Sequence, residues 1–346
     1  MVRGHALKSA VGLALTVLLL WWVLRDVSVA EVWDRVHQAD PWLLAGAVVT
    51  ATFSFVLRAA RWRVLLRPRY PDTGFVPRFG ATCIGFAVNN LLPARLGEFA
   101  RAYALSRTEG INIGATVASL VAERIFDGLV LAFFLFTTIS LPGFPLGEGA
   151  TALAVRRTAN LGALAFGLAF FLLWLAARHP DRSVGLFERT LGRLFRPRLR
   201  ERASRVVAGF LEGLGALHNT ATFLQAVAWS VVVWLNLSAS IWLGLLAFDI
   251  TAPGLTGAIF LQSVIAFAVA APSTPGFFGL FEAASRVGLG VYDVPATDMV
   301  SFATSYHILT FLPVTILGLW YIRHFGLSWS EMGHSEEIVE TAVHDD

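Results

Sequence analysis

Three groups of polar residues interrupt otherwise apolar sequence and carry side chains able to bind or transfer. The first runs Asn89-Asn90-Leu91-Leu92-Pro93-Ala94-Arg95-Leu96-Gly97-Glu98 and continues to Arg101. Pro93 cannot continue a preceding helix but suits the first turn of a following one, so the chain is expected to break and restart here. A new helix start offers unpaired N–H groups and a positive dipole end. With Arg95 in its first turn and Asn89 and Asn90 just before it, the pattern reads as an anion site. The alternative is that Arg95 and Arg101 pair with Glu98 at helical spacing and only anchor the segment.

The second group is Glu123-Arg124 with Asp127. Glu123 and Asp127 are four apart and share a helix face, and Arg124 is three from Asp127. At membrane depth such groups are costly against lipid and must face the interior of a bundle. Their partly balanced charges read first as a clamp between helices, with substrate binding and proton relay as alternatives. The third group is Pro272-Ser273-Thr274-Pro275-Gly276-Phe277-Phe278-Gly279, then Glu282 and Arg286. Pro275 again breaks and restarts a helix, Gly276 and Gly279 permit close backbone approach, and Ser273 or Thr274 can cap. A plain loop is the alternative. Gln262, Asn236 and His307 are single polar residues that read as interhelical glue, and Trp62 as an interfacial belt residue. No zinc-ligand spacing, nucleophile elbow or phosphate-binding glycine loop occurs, so neither metal nor cofactor is expected.

The elements that position these groups follow from hydropathy. Apolar spans lie at roughly 6–24, 41–57, 79–92, 111–140, 158–177, 222–248, 255–271 and 299–322, with a short interrupted segment at 275–290. The spans at 79–92 and 255–271 each run into a Pro/Gly break, which predicts two re-entrant hairpins. Arginines cluster at 58–78 and 178–205, whereas the loop after the first span is acidic, so both termini and both clusters are expected in the cytoplasm. Threading the spans through that constraint predicts about eight membrane segments in two inverted repeats, each with a Pro-broken hairpin. Paired broken segments of this kind point to a central transport site. Segment 178–220 reads as a cytoplasmic amphipathic connector or a solvated basic linker, and 326–346 as a disordered acidic tail.

Composition sets the class. The 346 residues are 56% hydrophobic and 15% charged, against about 25% charged in soluble domains. An all-α polytopic protein of the cell membrane is therefore expected, and a soluble domain excluded. Lys8 is the only lysine among 27 basic residues. Arginine's planar fork suits phosphate, although biased codon usage produces the same composition. The single cysteine, Cys83, forbids a disulfide framework.

Asn90 to Arg101 followed by Glu123-Arg124-x-x-Asp127, together with Arg58-x-x-Arg61-Trp62 and Pro275-Gly276-x-x-Gly279-x-x-Glu282, resembles the flippase-like membrane proteins related to the transmembrane region of lysylphosphatidylglycerol synthase. The resemblance covers roughly residues 6–325. It implies a lipid flippase or lipid-binding transporter for an anionic phospholipid or an isoprenoid- or hopanoid-type lipid. Nothing after Trp329 resembles the soluble aminoacyl-transferase domain of bifunctional relatives, so no enzyme activity is expected. Two rival readings remain: a membrane-embedded transferase using Glu98, Glu123 or Asp127 as base, and a partner subunit of a lipid-modifying synthase. The expected partners are membrane lipids and such an enzyme, not nucleic acid.

Overall fold

The computed structural model describes residues 14, 16–92, 95–146, 150–179, 182, 185, 219–270 and 275–345, which are helices joined by short turns with no strand among them. Residues 16–24 are helical. They are followed by α1 (Val29–Gln38), α2 (Pro41–Leu66), α3 (Phe75–Leu91), α4 (Gly97–Glu109), α5 (Ile113–Ser140) and α6 (Ala150–Arg178). After the connector come α7 (Thr220–Ala247), α8 (Gly254–Val269), a 3-10 turn (Pro275–Phe277), α9 (Leu280–Gly290), α10 (Ala296–His324), α11 (Trp329–Gly333) and α12 (Ser335–Asp345). The amphipathic connector expected at 178–220 lies almost wholly outside the described residues.

Helix ends follow local chemistry. Asp40 caps α2 by accepting from the N–H groups of Trp42 at 2.8 Å and Leu43 at 3.0 Å, and Pro41 fills the first helical position. Asn112 caps α5 by accepting from the Ala115 N–H at 2.8 Å. Gly110 ends α4 with a φ of 64°, a conformation glycine adopts without steric cost. Among the described residues, three helices, α2, α7 and α10, are long and apolar enough to cross a membrane. Two more, α5 with 28 residues and α6 with 29, reach crossing length at about 1.5 Å per residue. Large apolar side chains such as Leu161, Leu164 and Ile316 remain exposed, as lipid-facing residues do.

The second span was expected to end at residue 57, with the arginines after it in a loop. Instead α2 continues to Leu66 and buries Arg58 and Arg61 in the bundle. Arg78 is buried too, so Arg63, Arg67 and Arg69 are the arginines exposed in that cluster. Hydropathy ends a span at its first charge and cannot see a partner that neutralises it.

The long helices α2 and α7 pack along each other. Around them α3 and α4 form one helical hairpin, and α8 and α9 another. α3 packs on α10 and α8 on α5; α4 meets α5 and α9 meets α10. The arms of the first hairpin approach closely because Gly85 and Gly97 face each other. A Cβ at Gly85 would lie 2.7 Å from the Gly97 carbonyl oxygen.

The acidic tail is a correction as well. Residues expected to be disordered form α11 and α12, and Met332 and Ser335 are fully buried. Charge alone argued for disorder, but α12, with buried Val339, packs against α4 and α5, and Leu327 and Met332 join an apolar cluster with Ala100, Ala104 and Leu105. Glu331 accepts from the Ser328 N–H at 2.6 Å and the Tyr103 hydroxyl at 2.9 Å. The Ser328 backbone bond, then the Ser328 and Tyr103 hydroxyls, hold its carboxyl below the ordinary glutamate value of 4.5. These bonds therefore stabilise the docked tail fully above that value and are lost as pH falls through the lowered one. Met332→Asp is expected to undock the tail at neutral pH, read as rapid proteolytic cleavage within 328–345. Unchanged cleavage would mean that Met332 does not hold it.

Candidate functional site

Six charged side chains from three helices meet in one place, five of them buried and Arg124 at its exposed edge. Arg58 and Arg61 stand three apart on α2, Arg101 comes from the second arm of the first hairpin, and Glu123, Arg124 and Asp127 come from α5. Asp127 lies midway along the 28-residue α5, and Trp234 of α7 closes the site from midway along another 28-residue helix. Glu123 is fully buried and touches three guanidinium groups: Arg124 at 2.6 Å, Arg101 at 2.7 Å and Arg61 at 3.0 Å. Arg101 grips it with a second bond at 3.1 Å, giving the bidentate geometry that makes such pairs strong. Asp127 accepts from both Arg61 terminal nitrogens and from Trp234 Nε1 at 2.8 Å, and lies 3.4 Å from Arg124. Arg61 also donates to Ser230 Oγ at 3.0 Å.

The charges do not balance. Among the described residues, four guanidinium groups of the cluster face two carboxylates, which leaves an excess of two positive charges. The surplus concentrates on Arg58, whose nearest carboxylate oxygen, on Asp127, is 3.7 Å away and beyond hydrogen-bond reach. Its Nε and Nη1 are buried without partners, while Nη2, also unbonded, is not enclosed. Arg61 Nε and Arg101 Nε are likewise buried and unpaired. Phe86 and Trp234 flank the Arg58 guanidinium at 5.2 Å each, a cation–π setting that offsets about 1–2 kcal/mol of a larger desolvation cost. Arg124 has a side chain 40% exposed, so the site opens on that side. A buried, aromatic-walled cluster of this sign is complementary to an anion.

Of the residues singled out in sequence, Arg101, Glu123, Arg124 and Asp127 join this cluster. The others build the hairpins. Asn89 accepts the Gly97 N–H at 2.7 Å and donates to Glu98 at 3.3 Å, capping α4 from the preceding helix. Asn90 donates to Thr315 Oγ1 on α10 at 2.8 Å. Arg95 does not stand in the first turn of a helix, as the pattern suggested. It precedes α4 with a φ of 57° and reaches across to the second hairpin, where Nη1 donates to Val269 O at 3.0 Å and to Ala270 O. Those carbonyls end α8, so Arg95 satisfies acceptors that the helix itself cannot. It also lies over the Phe277 ring and 4.0 Å from Glu98. Pro93, Ser273 and Thr274 fall outside the described residues.

In the second hairpin, Pro275 opens the 3-10 turn, and Gly276 and Gly279 have φ of 68° and 87°, which only glycine adopts at little cost. Glu282 accepts the Gly279 N–H at 2.7 Å and meets His307 Nδ1 at 2.7 Å. Arg286, four residues after Glu282, donates to the Trp22 and Val23 carbonyls and pairs with Asp26 at 2.8 Å. Sequence reasoning missed Arg58, Arg61 and Trp62 as site members. Trp62 is no interfacial residue: it is fully buried, donates to Ser119 Oγ at 2.8 Å and lies 4.0 Å beneath the Arg101 guanidinium. The Arg58-x-x-Arg61 spacing, one helical face, was the available signal. Among the described residues, no three His, Cys, Asp or Glu side chains gather as metal ligands.

Residues 9–318 match the family described as the lysylphosphatidylglycerol synthase TM region. The chain is 31% identical over 321 residues to a protein of Haloferax volcanii named glycosyltransferase AglD, covering 85% of this chain. It spans only 50% of that relative's length. It is 24% identical to a UPF0104 membrane protein of Methanothermobacter thermautotrophicus and 21% identical to another of Methanocaldococcus jannaschii, with 97% and 95% of those proteins covered. The expectation that the chain is not an enzyme is overturned by the first of these, a relative named for a transferase. That expectation rested on one absent soluble domain, which bears on aminoacyl transfer alone.

Proposed function

The chain belongs to the lysylphosphatidylglycerol synthase transmembrane-region family, and from that premise we propose that it is the membrane-embedded part of a lipid-modifying transfer system. It binds the anionic group of a lipid at the Arg58 side of the buried network, where group transfer to or from that lipid is carried out. The observation that carries this reading is the excess of positive charge in the cluster, with buried, unpaired N–H groups on Arg58. A phosphate supplies the missing charge and the missing acceptors together. The name of the Haloferax relative favours a sugar as the transferred group, and the family description an aminoacyl group. The expected partner is the enzyme that contributes the remainder of the chemistry, with membrane lipid as substrate.

Lipid translocation is the second reading, favoured by the contact between the two hairpins through Arg95. Exchanging α2–α5 with α7–α10 maps α3 on α10 onto α8 on α5, which supports two repeats, and the antiparallel course of α2 and α7, with Ala47 against Ser240 and Arg61 against Ser230, supports their opposite orientation. With the exposed Arg63, Arg67 and Arg69 taken as cytoplasmic, both termini lie inside. Lipid analysis of a deletion strain separates the readings. Loss of one modified lipid species is the expected result. Redistribution between leaflets with no species lost would replace it with translocation, and an unchanged lipid profile would sink both.

A further inference from the structure

A second basic centre lies outside the buried network, at the turn between α2 and α3. Arg78, in the first turn of α3, is 3% exposed, and its Nε donates to the Gly74 carbonyl at 3.0 Å, which holds the guanidinium at the helix start. Nη1 is buried with no partner, and Nη2, also unbonded, is not enclosed. Thr73, 7% exposed, has a buried hydroxyl without a partner. The nearby carboxylate, Glu109, is engaged elsewhere: it accepts the Gly74 N–H at 3.2 Å and makes no ion pair with Arg78. Gly74 offers no side-chain cap, so the N–H groups of Phe75 and Val76 stay open at the positive end of a 17-residue helix, while Pro77 has none to offer. A guanidinium, a hydroxyl and two backbone N–H groups without an acceptor thus lie within the six residues 73–78 at the start of one helix.

The surroundings indicate what brings the acceptor. Phe75 and Val76, at the same turn, are 45% and 50% exposed, and Arg63, Arg67 and Arg69 are exposed on the chain leading to it. Apolar side chains that need acyl chains, beside donors that need an oxyanion, match the headgroup layer of a bilayer. We infer that the start of α3 is a binding site for the phosphate group of a membrane phospholipid, with Arg78 and Thr73 as its side-chain ligands. The site is separate from the Arg58 network and does not rest on the transfer reading.

The test is hydrogen exchange of the segment 70–80 in the full chain, held in phosphatidylcholine nanodiscs with and without phosphatidylglycerol, and with inorganic phosphate added to the phosphatidylcholine discs. Phosphatidylglycerol is expected to slow exchange at Phe75 and Val76. Arg78→Gln should raise the half-saturating fraction of that lipid about tenfold, the effect of losing one charge-assisted hydrogen bond. Thr73→Val, close in shape, should shift it in the same direction by less, and serves if Arg78→Gln does not fold. Arg58→Met should leave the protection intact, which separates this site from the buried network. Equal exchange with and without both anions, or full protection in the folded variants, would overturn the site. Protection by inorganic phosphate but not by phosphatidylglycerol would overturn the lipid as its source.

Discussion

Glu123→Ala is expected to leave almost no folded protein in the membrane. Glu123 is fully buried and is the carboxylate on which Arg61, Arg101 and Arg124 converge at 2.6–3.0 Å. Removing it strands Arg101, for which no other carboxylate lies within pairing distance among the described residues, and raises the charge excess of the cluster from two to three. Breaking one buried pair costs about 3–5 kcal/mol, a large part of a typical stability of about 5–15 kcal/mol. Arg124→Ala should cost far less, because its side chain is 40% exposed and Glu123 keeps two partners. Fluorescence-detected size exclusion with thermal unfolding in detergent reads both. Wild-type yield and melting temperature for Glu123→Ala would mean that the network does not hold the bundle together.

Arg58→Met should do the opposite, preserving the fold while removing function. Arg58 carries the unbalanced charge and has no hydrogen bond to any carboxylate. Replacing this poorly compensated buried ion with an apolar side chain of similar length removes its desolvation cost and leaves Asp127 paired with Arg61 and Arg124, so the fold is expected to hold. The Phe86 and Trp234 faces that flank the guanidinium accept a thioether well. If the guanidinium binds the lipid anion, its loss forfeits a charged hydrogen bond of about 1.5–3 kcal/mol, or roughly 10- to 150-fold in affinity. The modified lipid should then disappear from a deletion strain complemented with the variant, although the variant melts at or above the wild-type temperature. Wild-type lipid levels would remove Arg58 from the site. A lowered melting temperature would make it a structural residue.

Stability and function are thus expected to separate within one cluster, and the separation follows the charge count. Glu123 and Asp127 hold arginines that would otherwise be unpaired, whereas Arg58 is the group the carboxylates leave over. Such tension between stability and activity is usual where a site is built before its ligand arrives.

Much of this was legible in the sequence, for reasons that are local. Low charge and long apolar runs required lipid as solvent. Pro93, and Pro275 with Gly276 and Gly279, marked two interruptions, because a missing N–H and, in the second, a positive φ constrain the backbone wherever they occur. The spacing of Glu123 and Asp127 placed both on one helix face, and burial followed from their charge in an apolar segment. What tertiary structure alone decided is who pairs with whom. Arg61 meets Asp127 across 66 residues of sequence, so hydropathy read Arg58 and Arg61 as loop residues when α7 and α5 had made a buried place for them. Arg95 looked like the anion-binding group because its neighbours promised a helix start. Its actual acceptors are carbonyls 174 and 175 residues away, at the end of α8. The tail looked unfolded because its few apolar residues show their worth only when α4 and α5 offer a surface to bury them. Backbone preferences act within a turn or two and are written in the order of residues. The cost of a buried charge depends on the helices around it, and only packing brings those together.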